Sequence, residues 1–482
     1  MAASAFLLMS CVRSPASPRV ASEPSTLVLS DCSLPSLNEH GLCGGLDVFE
    51  NREARAGRRI RLRIAVLPAR DTSSRTDPIF IIVGGPGQSA VDNAASYAAL
   101  FAPLRAERAM VFVDQRGTGG SNPLPCDLYS SHPSGPLGDF LPLDAVKACR
   151  TVLTHDADLR FYSSALAADD LDDVRAALGY EQINIEAASY GTRVALLYLR
   201  RHSVHVRSAV LRSVSPPWVR QPLHFAEDAQ AAFDSLAAAC RAEPACHMAF
   251  PRFKEEIESV LARLGAGGGT VKLAGADSSK PSRSILLSRG AFAEKVRLML
   301  YAPEVSRFLP LLLHRAASGD FVPFAELAEE MGEQIAHLAS IGMYLSVTCP
   351  EDVAQITPAE AANTWPRTFL GDYRVQQQRA ACALWPSGPL PPDFVAPIRS
   401  DAPVLLISST TDPITPPRWA DEVARSLVNS RHVLVPNAGH SPSTRCVMAI
   451  ERQFMIDASP AGIDLRCLDE ARRPPFALAL PQ

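Results

Sequence analysis

Short apolar runs separated by amphipathic stretches organise this chain. Arg59 to Leu67 alternates basic with apolar residues (Ile60, Leu62, Ile64), the period of an antiparallel strand with one wet face. Two later runs are continuously apolar, Pro78-Ile-Phe-Ile-Ile-Val83 and Met110-Val-Phe-Val113, and four more are rich in Val, Ile and Leu: Ile183-Asn-Ile-Glu-Ala187, His205 to Leu211, Pro403-Val-Leu-Leu-Ile-Ser408 and His432-Val-Leu-Val435. Such runs suit strands buried on both faces of a parallel sheet. Helical spacing lies between them. Leu166, Leu171, Val174 and Leu178 form one stripe over Ala165 to Leu178, and Thr192 to His202 follows directly on Ser189. Strand and helix in alternation predict an α/β architecture with a mostly parallel sheet.

The rhythm changes between about 215 and 395. Phe225 to Cys240, Phe250 to Leu264, Gly290 to Met299, Val305 to Ala317 and Phe324 to Ile341 read as helices, and Gly265 to Ser284 as a short hairpin or a mobile loop. A helical block between two sheet strands is expected to cap an active site. The expected organisation is therefore a terminal segment over 1–30, core over 31–214, helical cap insertion over 215–395 and the rest of the core over 396–482.

Composition narrows the function classes. The 482 residues are 47% hydrophobic and carry a net charge of −4, with no run of like charges to mark a nucleic-acid or membrane surface. No segment offers the roughly 18 uninterrupted apolar residues of a transmembrane helix. At the start, Ala2 to Met9 is short and apolar. Leu8-Met9-Ser10-Cys11 resembles a lipoprotein cleavage box whose Cys11 would carry the lipid, and residues 12–30 read as a Pro/Ser/Ala-rich tether. Apart from Cys11 there are ten cysteines: Cys32, Cys43, Cys126, Cys149, Cys240, Cys246, Cys349, Cys382, Cys446 and Cys467. Taken as neighbours they give five short loop closures, although sequence alone leaves the connectivity open. None has the Cys-x-x-Cys spacing of a zinc or redox site, and an oxidising location, periplasmic or extracellular, is the economical explanation.

One constellation carries chemistry. The run 183–187 leads into Ala188-Ser189-Tyr190-Gly191 and then a helix, the strand-turn-helix that exposes a nucleophile. The sharp turn needs small residues on either side, here Ala187 and Gly191. A serine needs a base, and the base needs a carboxylate. Asp412 follows the strand 403–408, and His440 follows the strand 432–435, so both sit where loops leave the C-terminal edge of a parallel sheet. Asp421 is the rival acid but falls inside a helical pattern. The backbone N–H of Tyr190 and one from Gly84-Gly85-Pro86-Gly87, most plainly Gly85, are placed to form an oxyanion hole. That glycine loop lacks the Lys-Ser/Thr of a phosphate-binding P-loop.

Gly84-Gly85-Pro86-Gly87, Asp114-Gln-Arg-Gly-Thr-Gly-Gly-Ser121, Ser189-Tyr-Gly-Thr192, Asp412 and Ala438-Gly-His440 together resemble the proline iminopeptidase and tripeptidyl aminopeptidase branch of the α/β-hydrolases. The resemblance implies an α/β-hydrolase fold with a helical cap. It also implies a serine exopeptidase that acts on peptides with a free N-terminus and uses neither metal nor cofactor. Exported bacterial members carry paired cysteines, which fits Cys126 with Cys149 and Cys240 with Cys246. Tyr344-Leu-Ser-Val-Thr-Cys349-Pro-Glu351-Asp352 resembles the family's Cys-x-Glu-Asp segment, making Glu351 the expected partner of the substrate ammonium, with Asp352 second. The chain departs from the family at two places. Ala187 replaces a glycine, and Leu211-Arg-Ser-Val214 stands where many members have an acid after the strand. An esterase on the same three residues is the alternative, because fold does not fix substrate. A non-catalytic binding protein on this scaffold is the more remote one.

Overall fold

The computed structural model describes residues 27–480 apart from 35, 38, 72–75, 131, 133, 266, 274–281 and 339. The expectations for Ala2 to Met9, for Cys11 and for most of the 12–30 tether lie outside the described residues. Eleven strands are formed among the described residues: Ser30–Ser33 (β1), His40–Phe49 (β2), Arg59–Leu67 (β3), Ile79–Ile82 (β4), Met110–Val113 (β5), Ile183–Ala188 (β6), Val206–Arg212 (β7), Gly269–Leu273 (β8), Arg283–Leu287 (β9), Val404–Ser409 (β10) and Ser430–Val435 (β11).

Nine of them make one sheet in the order β1-β2-β3-β5-β4-β6-β7-β10-β11. The first four pair antiparallel in sequence along this order, and every pairing from β5 onward is parallel. This is the α/β-hydrolase fold, with a mostly parallel sheet. Burial follows from it: β4, β5, β6 and β10 are closed to solvent along their whole length. Successive residues point to opposite faces. Phe80, Ile82, Ile185, Leu211 and Leu406 pack with Val194 and Leu197 of the helix Tyr190–His202. Ile79, Ile81, Val210, Leu405 and Ile407 pack on the other face with Ala94, Ala98, Ile450 and Phe454.

The helices between β7 and β10 have a core of their own. Phe233, Phe253, Val260, Phe292, Leu312 and Phe324 meet there, and the small β8–β9 hairpin closes one side with Val271 and Leu287. Thus Gly265 to Ser284 contains a hairpin strand and part of its partner. Two features differ from expectation at the edges. β1 and β2 extend the sheet beyond β3, and Ser30, the end of the expected tether, already belongs to β1. The glycines of β2 (Gly41, Gly44, Gly45) dilute its apolar alternation, which hid the strand. The expected helix ending at Ile341 is in fact two, Val322–Leu338 and Ile341–Glu351. The second contains Pro350, so Glu351 ends a helix rather than beginning one.

Five disulfides staple neighbouring elements: Cys32–Cys43, Cys126–Cys149, Cys240–Cys246, Cys349–Cys382 and Cys446–Cys467. Among the described residues no helix is long and apolar enough to cross a membrane.

Candidate active site

The turn after β6 holds Ser189 at φ 55° and ψ −128°, a conformation that L-residues seldom adopt. Neighbouring groups fix it there. The Ser189 N–H donates to the Arg212 carbonyl at 2.9 Å, and Thr192 Oγ1 donates to the Ser189 carbonyl at 2.6 Å. Two residues on, a Cβ on Gly191 would stand 2.2 Å from the Ile82 carbonyl oxygen, so the helix can approach the sheet only with glycine there. Ala187 is accommodated within β6, opposite Ile82 and Leu211.

His440 Nε2 lies 2.9 Å from Ser189 Oγ, and its Nδ1 lies 2.9 Å from Asp412 Oδ2. Asp412 is fully enclosed. Burial alone would raise its pKa, but the His440 imidazole and the N–H groups of Thr415 and Ile414 outweigh this and hold the carboxyl below its ordinary value. Ser213 Oγ and Thr415 Oγ1 donate to its Oδ2 at 2.8 and 2.9 Å. The segment Leu211-Arg-Ser-Val214 thus supplies, in Ser213, a donor to Asp412. The ring of His440 is fixed from the cap side as well. The backbone N–H of His440 donates to the Tyr301 carbonyl at 2.7 Å, and the Tyr301 ring meets the imidazole edge-on at 4.9 Å. Asp421 is elsewhere, exposed and bound to His432.

Gly84 packs against Ser189: a Cβ there would lie 3.1 Å from Ser189 Cβ. Gly85 follows with φ 109°, which places it in the region open to glycine. Gly85 and Tyr190 line the same cavity as Ser189 and His440. The Asp-Gln-Arg-Gly-Thr-Gly-Gly-Ser motif holds this loop. Asp114 accepts from Ser89 Oγ at 2.7 Å, Val91 N at 3.0 Å and Gly120 N at 2.9 Å, while Arg116 is clamped on Asp170 at 2.6 and 2.8 Å. Both residues act through the scaffold.

Glu351 and Asp352 are not on the cavity wall, which corrects the expectation that they meet a substrate ammonium. Both are buried and already paired. Arg193, one turn after Ser189, reaches Asp352 at 2.8 and 3.0 Å and Glu351 at 3.2 Å. Ser164 also donates to Glu351, from Oγ at 2.6 Å and from its backbone N–H at 2.7 Å. Burial raises the Glu351 pKa; Arg193 and Ser164 counter it only in part. The segment's likeness to the family motif carried no information about which way the carboxylates point.

The cavity above Ser189 measures about 510 Å³. Its wall includes Tyr97, Tyr129, Phe140, Phe225 and Ile414 and, from the cap, Lys295, Arg297 and Arg374. Sequence reasoning missed these three cations. They come from two separate helices, Arg289–Met299 and Tyr373–Cys382, and only the tertiary fold gathers them.

Comparison with known proteins agrees with this geometry. Residues 77–248 match the family described as alpha/beta hydrolase fold, and 367–467 match the family described as TAP-like protein. The first segment holds Ser189, and the second holds Asp412 and His440. The chain is 26% identical to carboxylesterase B of Mycobacterium tuberculosis, covering 88% of this chain and 86% of that one. It is 24% identical to the serine protease Hip1 of the same organism, with 89% of each covered. Identity to a tripeptidyl aminopeptidase of Streptomyces coelicolor is also 24%, over 89% of this chain and 83% of that one. Among solved structures, a proline iminopeptidase from Mycobacterium smegmatis aligns with a TM-score of 0.38 at 14% identity, over 88% and 98% of the chains. The chain is a serine hydrolase of the α/β-hydrolase fold.

Proposed function

We propose that this α/β-hydrolase is an exported serine peptidase that releases N-terminal residues or short peptides through an acyl-enzyme on Ser189. The observation that carries the reading is the 2.9 Å approach of His440 Nε2 to Ser189 Oγ, both on the wall of one cavity. Ser189 Oγ attacks the scissile carbonyl while His440 takes its proton, and Asp412 orients the ring and stabilises the imidazolium. The N–H groups of Tyr190 and Gly85 receive the oxyanion. His440 then protonates the departing amine. Water, deprotonated by His440, attacks the acyl-enzyme carbonyl, and collapse of that second intermediate returns the proton to Ser189 Oγ and frees the acid. Peptide as substrate is supported by the TAP-like match and by the named relatives that are a serine protease and a tripeptidyl aminopeptidase. Export is supported by the five disulfides, which persist in oxidising compartments. A lipid on Cys11 belongs to the same reading.

An esterase is the second reading. It is favoured by the carboxylesterase relative and by a cavity wall that, among the described residues, includes no carboxylate for an α-ammonium. The two are separated by comparing an unblocked tripeptidyl anilide, its N-blocked form and a p-nitrophenyl ester. Preference for the unblocked anilide is the expected result. Equal cleavage of blocked and free anilides would rule out recognition of a free N-terminus, and turnover of the ester with neither anilide cleaved would replace the peptidase with the esterase.

A further inference from the structure

Three cations face the cavity that Ser189 opens into, and one carboxylate is shared behind them. Glu294 accepts from Arg297 Nε at 2.9 Å and from Arg374 Nη1 at 2.7 Å, so it is spent on two guanidinium groups. Arg374 lies 3.6 Å above the Phe140 ring, its Nη2 donates to Tyr344 Oη at 3.0 Å, and its Nε has no hydrogen-bond partner although it is buried. Arg297 also donates to Tyr301 Oη at 3.3 Å, and the Tyr301 ring packs on His440.

Lys295 is different again. It is only 8% exposed, it lines the cavity, and no acceptor among the described residues takes its ammonium. It lies beside Gly332, where a Cβ would come within 3.2 Å of Nζ. Glu294, the carboxylate that acts on Lys295 through charge, is already shared by Arg297 and Arg374, so an anion entering the cavity gains an ammonium that no hydrogen bond or ion pair occupies. Desolvation lowers the Lys295 pKa to about 8, so the group remains mostly charged at neutral pH. No carboxylate among the described residues lines the same wall.

We propose that Lys295, backed by Arg297 and Arg374, is a subsite for a substrate carboxylate, so that the preferred substrates are anionic. The inference rests on Ser189 being the nucleophile, under the peptidase or the esterase reading alike. The carboxylate has two sources: an acidic side chain on the acyl portion, or the C-terminal carboxylate of a short peptide on the leaving side. Neutral substrates of the same shape leave the ammonium without a partner.

Two kinetic comparisons separate these sources. Glutamyl against glutaminyl p-nitroanilide places the charge on the acyl side. Trialanine against trialanine amide places it on the leaving side. In one of the pairs the charged member is expected to have a kcat/KM about tenfold higher or more, expressed mainly in KM. That ratio falls towards one in Lys295→Met and is regained in part in Lys295→Arg. Calorimetric binding of glutarate and of glutaramide to Ser189→Ala reads the subsite apart from catalysis. Tighter binding of glutarate, lost when Lys295→Met is added, supports the subsite even if the role of Ser189 fails. Equal binding of the two, no binding of glutarate, or a Lys295-independent preference would overturn it, while leaving hydrolysis by Ser189 standing.

Discussion

Arg193 Nη2 lies 2.8 Å from Asp352 Oδ1, with both side chains closed to solvent, so the helix that follows Ser189 is ion-paired to the end of the helix Ile341–Glu351. Asp352 also accepts the Gln221 N–H at 2.9 Å, where the chain enters the helical block. These contacts give the carboxylates a structural duty.

Arg193→Met should therefore act on stability. Removing one partner strands two buried carboxylates, which costs about 3–5 kcal/mol. Thermal denaturation is expected to show a marked fall in Tm. Asp352→Asn is expected to lower Tm less and to leave KM for peptide substrates nearly unchanged. A large rise in KM at unchanged Tm would return Asp352 to the substrate.

For the reactive centre, Ser189→Ala and His440→Ala should each lower kcat by about 10⁴-fold or more, and the double variant should lose little beyond either. Asp412→Asn should lower kcat strongly with the fold intact. A fluorophosphonate probe followed by peptide mapping should label Ser189 in the unmodified chain. Near-normal turnover by Ser189→Ala would remove the acyl-enzyme from consideration.

Gly191→Ala places a methyl 2.2 Å from a backbone carbonyl that cannot rotate away. Overpacking at such a point is expected to cost roughly 3 kcal/mol or more. The soluble yield and Tm of Gly191→Ala should fall well below those of Ala187→Gly, because Ala187 is already accommodated.

A pH dependence follows from the cluster beneath the site. Arg212 Nε stands 2.9 Å from Glu186 Oε1 and 3.3 Å from Glu451 Oε1, all of it buried. One guanidinium serves two carboxyls. Burial raises the Glu186 pKa to about 7 even against the pull of Arg212, and burial with repulsion from Glu186 raises Glu451 well above 4.5. The folded chain thus binds protons that the unfolded chain releases. This contribution to stability is complete below about pH 4.5 and is lost as pH rises through about 7. Glu451→Gln keeps a neutral group there at every pH. The Tm difference between Glu451→Gln and the unmodified chain should grow in favour of the variant as pH rises above 5; a difference constant with pH would show that Glu451 does not titrate.

The sheet was legible because β4, β5 and β10 are buried on both faces and spell apolar runs, while β6 and β7, which carry buried Asn184, Glu186, Ser208 and Arg212, still place apolar residues at most of their other positions. Ser189, Asp412 and His440 were readable for a related reason: each follows a strand that composition already marks. β2 was not, since glycines interrupt its pattern. Glu351 shows a different limit. A motif conveys residue types, whereas burial against Arg193 depends on how two distant helices pack. Lys295 and Arg297 share one helix and Arg374 lies on another, and no local pattern announces a shared cavity.

The disulfides join only near neighbours in sequence, with separations of 11, 23, 6, 33 and 21 residues and no crossing of one loop by another. A chain emerging N-terminus first can therefore close each ring as soon as its second thiol appears, before the next pair exists to compete. If the chain is exported as proposed, this order of appearance favours the right partners, and maturation would call for an oxidant more than for an isomerase.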